Sequence, residues 1–132
     1  MAIWILLGVA AAVVLALSFY LRRPGFRGAI GFRNEHVAEV AYARARGFSR
    51  VVQCPTLKPG EHSFSYAGRQ DIPEEASIEW QFITDTKERR ATVSLRDVPR
   101  QAPGEAVLFF VLGKDGTWHT EYSPRLRFDG PV

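Results

Sequence analysis

Three histidines, one cysteine and one adjacent pair of carboxylates are the first places to look for chemistry in this chain. A metal site needs three or four convergent donors. His36, His62 and His119 show no ligand spacing such as i, i+4 on a helix, and no Cys-x-x-Cys occurs. His62 and His119 are the pair that strand pairing could bring together; otherwise they are solvated strand histidines. Cys54 lies in VVQCPTL, ahead of Pro55. A nucleophilic thiolate needs a base and an electropositive pocket. No partner is visible in the sequence, so Cys54 is expected to be a buried structural thiol. Glu74-Glu75 follows Pro73 in a loop, and sequence neighbours do not face one cleft. G-x-S-x-G, the P-loop and G-x-G-x-x-G are all missing from the sequence. The expectation is no catalytic residue, no metal ligand and no cofactor.

Two other groups could contact a partner. Arg44, Arg46 and Arg50 surround Gly47-Phe48. They could face lipid or an acidic protein surface, or they could be a solvated edge whose charges discourage strand addition. The aromatic residues Phe64, Trp80, Phe82, Phe109 and Phe110 are expected in the core.

The element that must position all of these is the N-terminus. Ala2 to Tyr20 reads AIWILLGVAAAVVLALSFY, without a charged side chain. About nineteen apolar residues at 1.5 Å each make a helix about 28 Å long, close to the hydrocarbon thickness of a bilayer. Residues 1–21 are therefore expected to form a single transmembrane helix. A cleaved signal peptide would want a positive n-region, a shorter apolar core and a small-residue cleavage site after it; here only the terminal amine precedes a long run that ends in Ser18, Phe19, Tyr20 and Leu21 without an A-x-A pattern.

Arg22, Arg23, Arg27 and Arg33 follow the span, and no charged side chain precedes it. Basic flanks stay on the cytoplasmic side. The expected location is the cell membrane, single-pass, with the N-terminus outside and the remaining domain cytoplasmic. Trp4 and Tyr20 suit the two interfacial belts. Gly8, Ala12 and Ala16 recur every fourth residue and share one helix face. Small residues at this spacing let a second helix approach closely.

The formal net charge of +3 and pI near 9.4 do not point to nucleic acid. Residues 21–33 hold four arginines and no acid. Residues 34–132 hold thirteen basic and fourteen acidic side chains. The basicity is juxtamembrane, where arginines interact with anionic headgroups. Residues 22–27 read as a short basic linker, and residues 28–132 are long enough for one modest domain.

That domain alternates with the period of half-buried strands. SIEWQFITD and RATVSLRDV predict a hairpin over Ser77 to Val98. EAVLFFVL, Glu105 to Leu112, predicts a central strand. Asp115-Gly116 predicts a tight turn into Thr117 to Tyr122. Gly28 to Arg33, Arg50 to Gln53 and Glu61 to Ala67 predict three further strands. His36 to Arg46 is ambiguous. As a helix it has an Asn34 cap and a Gly47 stop; as a strand, the favoured reading, it puts Ala38, Val40 and Tyr42 on one face. About seven short strands match an immunoglobulin-like or fibronectin-like antiparallel β-sandwich. The resemblance is one of architecture only.

Anchor, small domain and missing catalytic motifs together suggest an accessory subunit that stabilises a larger integral-membrane complex. Its partners would be membrane protein subunits and lipid, with no nucleic acid and no small-molecule substrate. The alternative is a membrane-tethered protein- or peptide-binding module; an enzyme or metal-handling protein ranks third.

Overall fold

The computed structural model describes residues 2–21, 25–66 and 68–125, with side chains of the helix described as far as Ser18. The helix α1 covers Ala2–Leu21. Eight strands follow: β1 Ala29–Asn34, β2 Val40–Arg46, β3 Val52–Cys54, β4 His62–Tyr66, β5 Glu75–Phe82, β6 Arg89–Ser94, β7 Val107–Leu112 and β8 Trp118–Ser123. Among the described residues no helix is long and apolar enough to cross a membrane. Along α1 the side chains of Ile3, Trp4, Leu6, Val9, Val13 and Leu17 are all more than half exposed.

The strands form two four-stranded sheets, β4-β1-β7-β8 and β3-β2-β5-β6, and the fold is mainly β. The count is one more than expected. The pairing is also not wholly antiparallel, because β1 runs parallel to β7, from Ala29 beside Val107 to Asn34 beside Leu112. The chain reverses at every connection, so the odd strands all run one way. Placing β1 next to β7 in one sheet therefore requires a parallel pair.

The core lies between the sheets. From the first, Ile30, Phe32, Leu108, Phe110 and Leu112 point inward; from the second come Val40, Ala43, Ala45, Ile78, Trp80, Phe82 and Val93. Burying a large apolar side chain contributes about 1.5–3 kcal/mol. Trp118 and Tyr122 of β8 close one side. Phe26 is fully buried and bridges Gln70 and Ala102, so the β unit takes hold of the chain before β1 begins.

The hairpins β5-β6 and β7-β8 form as expected. Gly116 adopts φ +81° in the second turn, a conformation that suits glycine. The ambiguous segment contains strand β2 and no helix. Asn34 is not a helix cap. Its Nδ2 donates to the carbonyls of Ala38 and Leu57, and its Oδ1 accepts from the His36 amide. It pins the loop into β2 from a fully buried position. Tyr42 departs from the expected face. A register shift between Val40 and Tyr42 turns the strand, so Val40, Ala43 and Ala45 point inward while Tyr42 joins Arg44 and Arg46 outside.

Candidate interaction surfaces

The histidines do not converge. Along one row of the first sheet the registers place His62, Arg33, Val111 and His119 side by side on β4, β1, β7 and β8. His62 and His119 thus share a face but stand three strand spacings apart, roughly 14 Å. His36 lies elsewhere, its ring 5.1 Å from that of Phe82 and its Nδ1 accepting the Ala38 amide. No group of three or more His, Cys, Asp or Glu able to hold a metal occurs among the described residues. Cys54 is buried in the core, and burial pushes its thiol up to about 12. A thiol held protonated is a poor nucleophile. Glu75 opens β5, while Glu74 lies in the bend before it and its carbonyl accepts the Leu95 amide.

Arg44 and Arg46 point outward from β2, an interior strand rather than an edge. Their neighbours across the strand pairing supply acids. Glu79 of β5 lies between them, with Arg46 Nε donating to Oε1 at 2.6 Å and Arg44 Nη2 to Oε2 at 3.1 Å. Arg44 also reaches Glu88 at 2.6 Å, and the Tyr42 hydroxyl donates to the same carboxylate. The Arg44 guanidinium stacks 4.9 Å from the Tyr42 ring centre. Two of the three arginines expected to meet a partner are therefore occupied within the sheet. Arg50 is separate, exposed on the β2-β3 loop. The acids were missed because only the β2-β5 register puts Glu79 beside Arg44.

The outer face of the first sheet departs most from expectation. Phe64 and Phe109 are not core residues. Ser63 and Ser65 lie beside inward-facing Phe32 and Ile30, so the alternation turns His62, Phe64 and Tyr66 outward. Phe64 sits opposite Gly31, where an added Cβ would come 2.5 Å from the Phe64 Cβ and 2.2 Å from the Ser63 carbonyl oxygen. The glycine makes room for the close approach of β4. The Phe109 ring meets Phe64 edge-on at 6.2 Å and His62 at 5.8 Å, and Tyr66 meets Phe64 at 6.2 Å. Arg33 caps this cluster, 5.6 Å from the Phe109 ring centre, and pairs with Glu121 and, at 3.2 Å, with Glu35. Arg33 therefore belongs to the sheet, one residue from the end of β1 that lies farther from the helix.

Of the other expected interface residues, Trp4 is exposed on α1 and Arg27 is exposed, its amide donating to Ala102. Arg22, Arg23 and the Tyr20 side chain lie outside the described residues. Gly8, Ala12 and Ala16 are exposed on α1, and a Cβ at Gly8 would meet nothing within 4 Å. A shallow depression of about 200 Å³ lies at the helix-side end of the sandwich, lined by Gly25, Asp71, Ile72, Arg100 and Gln101. Arg100 there donates to the Ile72 and Pro73 carbonyls at 2.7 Å each, and so fixes a loop.

No family model and no curated protein matches this chain. Among solved structures it is similar to the NMR structure of a protein from Eubacterium rectale, at 10% identity. The likeness covers 77% of this chain and 92% of that one, with a TM-score of 0.42.

Proposed function

We propose that this chain is a single-span, membrane-anchored accessory subunit of a larger integral-membrane assembly, with a non-enzymatic, immunoglobulin- or fibronectin-like sandwich on the cytoplasmic side. The observation that carries the reading is α1. Its 20 residues include no charged side chain, and its described apolar side chains stand exposed, not folded against the sheets. The described part of α1 is not by itself long and apolar enough to span, but the uncharged run Ala2 to Leu21 at 1.5 Å per residue would reach about 30 Å, the scale of a hydrocarbon core. The four arginines that follow favour the cytoplasmic side for the sandwich. Gly8, Ala12 and Ala16 supply the face on which a neighbouring helix would pack.

The test is purification in mild detergent and identification of what accompanies the chain. Integral-membrane subunits are expected, and Gly8→Leu or Ala12→Leu should reduce their recovery while Val9→Leu should not. A chain extracted from membranes by alkaline carbonate would refute the anchor. Equal recovery with all three variants would refute the helix face.

One observation favours a second reading, a membrane-tethered binding module. Strand β4 is a sheet edge and carries outward His62, Phe64 and Tyr66, the last 58% exposed. An edge of this kind can accept an added strand. Recovery of soluble proteins alone, lost on substitution of Tyr66 and Phe64, would favour it.

A further inference from the structure

The strand order sorts the charges of the loops by end. Because the chain reverses at every connection, the segment before β1, the β2-β3, β4-β5 and β6-β7 loops and the stretch after β8 all gather at one end. Contacts between the sheets fix this. Phe26 bridges Gln70 and Ala102, and the Ser49 hydroxyl donates to Gln70. The other four loops gather at the opposite end, where Asn34 binds Leu57 and His36 packs on Phe82. The first end is the one joined to α1, through residues 22–28.

Every basic side chain described in the helix-side loops is an arginine: Arg27, Arg50, Arg69, Arg96, Arg100 and Arg125. Four carboxylates accompany them. The far loops hold all three lysines of the chain against six carboxylates. Some helix-side charge is spent internally, since Arg69 pairs with Asp71 and Arg125 with Glu105. Arg50 and Arg96 are exposed and make no ion pair among the described residues, and Arg100 is held by carbonyls rather than by a carboxylate. Glu74 and Asp97 are the opposing charges left over. At the far end Arg33, Arg44 and Arg89 of the strands pair with Glu35, Glu88 and Asp85, and the remaining carboxylates match the three lysines, so the excess of positive charge lies at the helix-side end. Arg22 and Arg23 add to the positive side in sequence.

We infer that the helix-side loops form a docking surface for an anionic bilayer, holding that end of the sandwich against the headgroups. The inference rests on the membrane anchor proposed above. The short connection confines this end within reach of the membrane surface, and each arginine near an anionic surface adds favourable energy that salt screens. Arginine suits the task, because its planar fork binds phosphate in two-point fashion.

The experiment uses the full-length protein reconstituted into phosphatidylcholine vesicles and into vesicles that also contain phosphatidylglycerol. Amide hydrogen exchange is read loop by loop. Exchange over 47–51 and 95–104 should be about fivefold slower or more in the anionic vesicles, the effect of one arginine in the headgroup field. The protection should vanish at about 0.5 M salt. Arg50→Glu with Arg96→Glu should abolish it, and Lys58→Glu with Lys114→Glu should not. Unchanged exchange in the β-strands verifies that the variants fold. A chain that stays embedded but shows equal loop exchange in both vesicles overturns the docking surface and leaves the anchor standing. A chain that neither vesicle retains overturns both.

Discussion

Trp80 of β5 and Trp118 of β8 meet edge-on across the sandwich, ring centres 5.5 Å apart, and join the two sheets where no strand pairing connects them. Neither indole N–H has an acceptor among the described residues, so the contact is one of packing and ring electrostatics. Trp80→Ala should cost about 3–5 kcal/mol. A double-mutant cycle of Trp80→Leu and Trp118→Leu, measured by denaturant unfolding, should give a coupling of about 0.5–1.5 kcal/mol. Strict additivity would show that the two rings act independently.

Glu79 is the keystone of the outer β2-β5 face. Its side chain is 8% exposed and serves two arginines. Glu79→Ala leaves both guanidiniums without that carboxylate, at about 1–3 kcal/mol, less than for a fully buried pair because Arg46 is half exposed. Glu79→Gln should lose less, since it keeps the shape and one acceptor. The denaturation midpoint decides. An alanine variant as stable as wild type would show that the network adds nothing.

How much of this was legible in sequence depends on whether the signal was local. The period-2 runs over Ser77 to Val98 put Ile78, Trp80, Phe82, Val93 and Leu95 on the plainly more apolar face of their segments, and that face is the buried one. The same period in β4 shows two faces without saying which is inside. Aromatics alternate with serines, and the obvious choice is the wrong one, because Gly31 on the neighbouring strand lets Phe64 lie on the outer surface. Tyr42 was misplaced by a single register shift. The ion pairs of Arg44, Arg46 and Arg33 span 35, 33 and 88 residues of sequence. Such pairings follow from sheet register, which no local pattern specifies.

Cys54 should be silent toward alkylating reagents. Burial raises its thiol to about 12 from an ordinary 9.0. Because the folded state holds the proton more tightly, this contribution to stability is fully present below about pH 9 and is lost as pH rises toward 12. Iodoacetamide labelling at pH 8 should be slow in the native protein and rapid in denaturant. Equal rates in both would place the thiol at the surface.

At the acid end the sign reverses. The Tyr42 hydroxyl, then Arg44, hold Glu88 below its ordinary 4.5. The Lys87 amide, then Arg89, lower Asp85, and the Thr117 hydroxyl and amide lower Asp115. A carboxyl whose folded value is depressed binds its proton more weakly folded than unfolded. Its contribution is present above the ordinary value and fades as pH falls through the lowered one. The melting temperature should therefore hold steady from pH 7 to about 5 and fall progressively below about 4.5. Tyr42→Phe removes the largest cause at Glu88, so the titration of that carboxyl, followed by carbon NMR, should move up toward 4.5 while Asp115 stays where it is. If Glu88 titrates identically in both proteins, the Tyr42 hydroxyl is not its donor in solution.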